Sequence, residues 1–311
     1  PAEVKTILGI DRREAAARKS GQVDALLEWA VLVCVFCAPF VMIPGLRDAA
    51  NLAQNAFVQV TSLVLAGAWV VKQAVVDKRV TWVYSPMIPP LSAFVVWCLV
   101  SVFWAVNRYE VVPVFLQALA MTVFFLVVLH TCARKPFSEK PFSSPYDRMA
   151  AALVLAGSGI AVIGICQYLF GFSLIPQARP PAATFANRNM ASQFMVLVIP
   201  FSLYLLARAR TTPAAWAAAM GAAVMLVYVV YIQSLAGWVA VFAEMAVLAG
   251  LAVYLQVKNR PVMDLRARLA PLAAMGVVFV VLIHVNADGF HFRFKGVFQE
   301  IQQIQTFLGS P

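Results

Sequence analysis

Nine nearly unbroken apolar stretches dominate the chain, at about 27–46, 52–71, 87–106, 111–131, 149–168, 190–207, 214–232, 236–256 and 269–286. A helix rises 1.5 Å per residue, so roughly 20 such residues cross the hydrocarbon of a bilayer. Backbone polar groups in lipid must be satisfied internally, which leaves helices or closed barrels as the only spanning structures. Barrel strands are about ten residues of alternating polarity, which these runs are not. The sequence therefore predicts an all-α, polytopic transmembrane bundle of about nine spans. Of the 311 residues only 12% are charged, about half the share of a soluble domain. The chain divides into an N-terminal segment (1–25), the bundle (26–286) and the start of an outer loop (287–311).

The basic residues orient the bundle. If the N-terminus is cytoplasmic, only Arg47, Arg108, Arg179, Arg188, Arg293 and Lys295 of the 24 Lys and Arg fall on the outer face. The rest gather on the cytoplasmic side: at the N-terminus, and in loops carrying Lys72, Lys78 and Arg79, Arg134 to Arg148, Arg208 and Arg210, and Lys258 to Arg268. The positive-inside rule then gives an N-terminus in the cytoplasm and a C-terminus in the periplasm. Topology thus accounts for the net charge of +10, and a nucleic-acid partner is set aside. Residues 1–25 read as an amphipathic helix ending near Gly21, lying on the cytoplasmic membrane surface and starting with a capping pattern at Asp11 and Glu14. The five cysteines lie in or beside apolar runs and read as packing residues.

This orientation puts four polar pieces on one face. The first is Arg179-Pro180-Pro181-Ala182-Ala183-Thr184-Phe185-Ala186-Asn187-Arg188-Asn189, which leads into the sixth apolar run. Arginine makes charge-assisted, often bidentate bonds to phosphate oxygens. Asn187 and Asn189 precede a helix start, where Asx side chains cap free N–H groups and the helix dipole favours an anion. An ordinary capped loop accounts for the same local chemistry. The second piece is Ser234-Leu235-Ala236-Gly237-Trp238, the third is Trp104-Ala105-Val106-Asn107-Arg108, and the fourth is the tail from Ala287. In that tail Phe290, Phe294, Val297, Phe298, Ile301, Ile304 and Leu308 form an amphipathic stripe, with Arg293 and Lys295 able to meet lipid phosphates.

Thr184-Phe185-Ala186-Asn187-Arg188-Asn189 resembles the T-F-x-N-x-N signature of the O-antigen ligase family, which includes polysaccharide polymerases and bacterial protein O-oligosaccharyltransferases. Ser234–Trp238 resembles the family's S-R-x-x-W element, except that Leu235 stands where the family has arginine. Ser101–Arg108 resembles its S-x-x-W-S-x-N span end. The resemblance covers about Trp104 to Lys295. It implies transfer of a glycan from an undecaprenyl-diphosphate-linked donor to an acceptor hydroxyl on a lipid, a polysaccharide or a protein. The site would face the periplasm, in a multi-pass protein of the bacterial inner membrane, with no cofactor and no metal. Arg179, Arg188, Arg293 and Lys295 would stabilise the diphosphate leaving group, assisted by Asn187, Asn189, Ser234, Trp238, Asn107 and Arg108. In the family a catalytic histidine and further spans follow this loop, and the chain as given lacks that C-terminal part, so His291 is the nearest candidate base.

Glu244 lies deep in the eighth run, where a carboxylate costs on the order of 2–3 kcal/mol on insertion scales. It is expected to face the bundle, neutral or partnered by Gln167, Gln117 or Ser192. Two other function classes follow: a non-catalytic scaffold derived from the same family, suggested by Leu235, and a lipid-linked glycan transporter that uses Glu244 for protons.

Overall fold

A computed structural model describes residues 2–45, 48–133, 144–177, 180–258 and 265–284. Among them there is no strand. The helices are α1 (Ala2–Cys37), α2 (Asn51–Val71), α3 (Ile88–Val100), α4 (Arg108–Ala133), α5 (Pro145–Phe170), α6 (Arg188–Arg208), α7 (Thr212–Ile232), α8 (Leu235–Val257) and α9 (Leu265–His284). Each expected apolar run contains a helix: the first leaves helix after Phe40 and the third after Phe103, short of the expected ends, whereas most of the others extend one to four residues beyond theirs.

Among the described residues, seven helices are long and apolar enough to cross a membrane. The protein is accordingly a membrane protein. The expected third and ninth spans are the shorter pieces, with apolar helix over Ile88–Phe103 and Arg268–Val278. Pro89 and Pro90 sit at the first turn of α3, where a missing N–H costs least. A 3-10 turn, Ser101–Phe103, tightens its last carbonyls and ends it.

Two local expectations change. The N-terminal helix does not stop at Gly21 but continues unbroken into the first span. A glycine inside an exposed helix costs only about 1 kcal/mol, and the apolar run beyond it supplies good helix formers. Lys72, expected in a loop, instead opens a π-helical extension of α2 (Lys72–Asp77) and is 1% exposed. Its ammonium is paired with Asp77 at 2.7 Å and Asp24 at 3.0 Å, and Asp77 also accepts from the Ser20 hydroxyl.

The chain forms two compact units. The first comprises the described residues of Pro1–Ala156, Ser173–Ala178 and Thr184–Ala186. In it Val31, Leu65 and Val127 of α1, α2 and α4 form a buried cluster. His130 is buried against Trp69 and Trp82, accepting from the Val83 N–H at Nε2 while Nδ1 faces the Leu126 carbonyl. Arg148 pairs with the buried Glu28.

The second unit comprises the described residues of Gly157–Phe172, Arg179–Ala183 and Asn187–Pro311. Its centre is α7, buried along most of its length. The inward stripe of α6 runs through Ala191, Met195, Val198, Ser202 and Leu205, the three-to-four spacing of one helix face. Ser202 donates to the Ala218 carbonyl on α7 at 2.7 Å. On the second half of α5, a Cβ at Gly164 would meet the Tyr228 ring at 1.9 Å. Small residues at such a contact let helices approach in lipid, where no hydrophobic force drives them together.

Candidate functional site

The site is built where two helices start. Asn187 is the N-cap of α6: its backbone is extended, and its side-chain oxygen accepts from the Asn189 N–H at 2.9 Å. Ser234 is the N-cap of α8, its hydroxyl oxygen accepting from the Gly237 N–H at 3.4 Å. A capping side chain satisfies one of the donors that every helix start leaves open. The link from α7 to α8 is short because Gln233 ends α7 in the left-handed region, at φ 54°.

These two helix starts meet. The Ser234 hydroxyl donates to the side-chain oxygen of Asn189 at 3.1 Å. Beneath this bond α6 and α8 touch at Gly237, where an added Cβ would lie 1.8 Å from Ser192 Oγ. Ser192 is 1% exposed, and its hydroxyl has no hydrogen-bond partner among the described residues. Two positive helix ends are thus held side by side, with Arg188 as the first residue of α6. Asn187 and Asn189 are exposed, Arg188 is half-buried and Ser234 is buried. Such paired helix starts favour an anion through their dipoles, with Arg188 at the first position of α6.

The residues before α6 are held within their own units. Gln167, near the end of α5, clamps the backbone of Ala183: its amide donates to the carbonyl at 3.0 Å and its oxygen accepts the N–H at 2.8 Å. Ala183 is fully buried with φ at 53°, a left-handed conformation that this clamp holds. In the first unit, Thr184 donates to the Pro39 carbonyl at 2.5 Å and is completely buried. The Thr184–Asn189 stretch therefore divides its labour: Thr184 is tied to the Pro39 carbonyl, and Asn187 and Asn189 build the start of α6.

Of the other sequence-based candidates, Trp238 is half-buried and packs against Val227, Val230 and Tyr231 of α7 with Tyr168 of α5. It is a packing residue of the second unit. Asn107 and Arg108 lie in the first unit, both exposed, where Asn107 accepts from the Tyr109 N–H at 3.2 Å and starts α4. Glu244 has one carboxylate oxygen buried without a hydrogen-bond partner. Gln167 holds Ala183 and Gln117 accepts from Gln59 at 3.0 Å, so neither expected glutamine serves it. Arg179, His291, Arg293 and Lys295 lie outside the described residues.

Sequence reasoning missed the roles of Gln167, Ser192 and Gly237. Gly237, three residues after the Ser234 cap, carried the only available signal: a glycine in the first turn of a helix permits close approach. No protein-family model, curated protein or solved structure matches the chain.

Proposed function

We propose that this protein transfers a glycan from an undecaprenyl-diphosphate-linked donor to an acceptor hydroxyl at the outer face of the bacterial inner membrane, in the manner of O-antigen ligases and polymerases. The observation that carries the reading is the hydrogen bond between Ser234 and Asn189. It joins the two stretches that resemble the family's T-F-x-N-x-N and S-R-x-x-W elements. On this reading, the departing diphosphate sits at the paired starts of α6 and α8. Negative charge grows on that group in the transition state, and preorganised N–H dipoles and Arg188 stabilise it more than they stabilise the ground state. The donor bond supplies the driving force, and the reading invokes neither metal nor cofactor. The acceptor is a lipid, a polysaccharide or a protein hydroxyl. Its proton passes to a base such as His291.

The topology belongs to the same reading: an N-terminus in the cytoplasm, a C-terminus in the periplasm, and α3 and α9 completing nine spans. The charge asymmetry of the loops supports it.

The test is Arg188→Ala in cells that carry the natural glycan. The variant should insert normally and lose glycan attachment, read as disappearance of the surface-glycan ladder. A normal ladder overturns the proposal. A second reading, proton-coupled transport of the same lipid, is favoured by the unpartnered oxygen of Glu244. It requires Glu244→Gln to abolish lipid movement across the membrane; unimpaired movement removes it.

A further inference from the structure

The first unit holds a cavity of about 530 Å³ among α2, α3 and α4. Its walls include Phe94, Val114 and Met121, all three exposed on the surface of apolar helices, so in a membrane its mouth opens onto hydrocarbon. The volume and apolar walls suit one flexible chain, and the few polar groups decide what that chain must carry. None of the residues lining the cavity is charged. Thr122 is already engaged, donating to the Ala118 carbonyl at 2.9 Å. Asn55 makes no side-chain hydrogen bond to another described residue, although an idle amide in hydrocarbon is costly.

The depth of these amides is set by the helices. Gln59 donates to Gln117 at 3.0 Å. Gln59 stands eight residues into α2 and Gln117 nine into α4, so both helices start at one membrane level and the pair lies roughly 12–14 Å below it. Asn55 is one turn nearer the start, roughly 6 Å in. In a bilayer that level is the border between polar headgroups and hydrocarbon.

We propose that this cavity binds an acyl chain of a diacyl membrane lipid, with the Asn55 amide donating to the ester carbonyl and the chain running past Gln117 toward Met121 and Phe125. An uncharged acceptor oxygen at the border, followed by a chain of apolar groups, matches both the position of Asn55 and the absence of charge in the lining. The site is independent of the glycan-transfer reading.

The experiment offers the purified full chain equal amounts of diester and diether phosphatidylglycerol in detergent micelles. Native mass spectrometry then counts the lipids retained. The headgroups are identical, so only the carbonyls distinguish the two. The diester should be retained roughly fivefold better, the equivalent of one net hydrogen bond. Asn55→Leu should remove that preference, and Ala118→Leu, which fills the cavity, should lower retention of both lipids. Equal retention of the two lipids by the unaltered chain overturns the proposal, as does a preference that survives Asn55→Leu. Preferential retention of a polyprenyl phosphate at the same concentration also overturns it, since that chain carries no ester.

Discussion

The Ser234 hydroxyl and the Asn189 side chain, 45 residues apart, are joined by a hydrogen bond of 3.1 Å at the common start of α8 and α6. Each partner also belongs to its own helix start. Asn189 donates its backbone N–H to the Asn187 cap, and Ser234 is itself the cap of α8. One bond therefore couples two capping systems, and the geometry of each start depends on the other.

That coupling is measurable. Ser234→Ala removes a cap and the bridge together and should cost about 1–2 kcal/mol of stability. Asn189→Ala removes only the bridge and should cost less. A double-mutant cycle, read by denaturation in mild detergent, should give a coupling energy of about 0.5–1.5 kcal/mol. Strictly additive effects would mean that the bond contributes nothing.

Gly237 and Ser192 make a second prediction, in which two changes compensate. Gly237→Ala places a methyl group 1.8 Å from Ser192 Oγ, with Ser192 Cβ next at 3.2 Å, and should destabilise the protein by about 1–3 kcal/mol. Ser192→Ala removes a buried hydroxyl that has no partner and should leave stability unchanged or raised. In the double variant the remaining contact is the 3.2 Å one, so much of the loss should return. Failure of Ser192→Ala to rescue Gly237→Ala would show that the backbone, not the hydroxyl, sets the approach.

The Lys72 cluster predicts an asymmetry between its two acids. Asp77 is 9% exposed and lies 2.7 Å from the ammonium, whereas Asp24 is 29% exposed at 3.0 Å. Breaking a buried ion pair from one side leaves an uncompensated charge, which costs about 3–5 kcal/mol. Water reaches Asp24 and screens it, so its contribution is smaller. Asp77→Asn should therefore lower the melting temperature clearly more than Asp24→Asn. Equal losses would count against burial as the cause.

These residues also show how far the sequence could be read. The apolar runs were legible because one residue type at one length has few solutions in lipid: each contains a helix, and among the described residues seven are long and apolar enough to cross a membrane. Helix ends were legible where a side chain caps its own helix, as Asn187 does. Partners distant in the chain were not. Nothing in Gln167 announces that its amide will clamp Ala183, since any polar group could have satisfied that backbone. Lys72 was misread because its charge suggested water, whereas two aspartates from α1 and the π-turn neutralise it inside the first unit. Trp238 carried an ambiguous signal, because an aromatic ring suits both a membrane border and a packed helix contact.

Gln167 provides a stability prediction with a local readout. Gln167→Leu keeps the volume but removes two hydrogen bonds from the buried backbone of Ala183, each worth about 0.5–1.5 kcal/mol. The loss should appear as faster hydrogen exchange at the Ala183 amide as well as a lower melting temperature. Unchanged exchange there would show that the left-handed turn holds without the clamp.

Leu235 tests the proposed chemistry most directly. It is the first residue of α8, 59% exposed, and it follows the Ser234 cap where the resembled family carries arginine. An arginine there would add a second guanidinium beside the one on Arg188, at a helix start that already favours an anion. It stands at an exposed position, so Leu235→Arg should barely change stability. If a lipid diphosphate is the leaving group, the variant should bind undecaprenyl diphosphate several-fold more tightly, and more so at low salt, because exposed charges are screened. A scaffold with no diphosphate site would show no such gain, and neither would Leu235→Gln serve as a substitute, since it adds hydrogen bonds without charge. Measuring the three side by side separates a binding site from an inert helix junction.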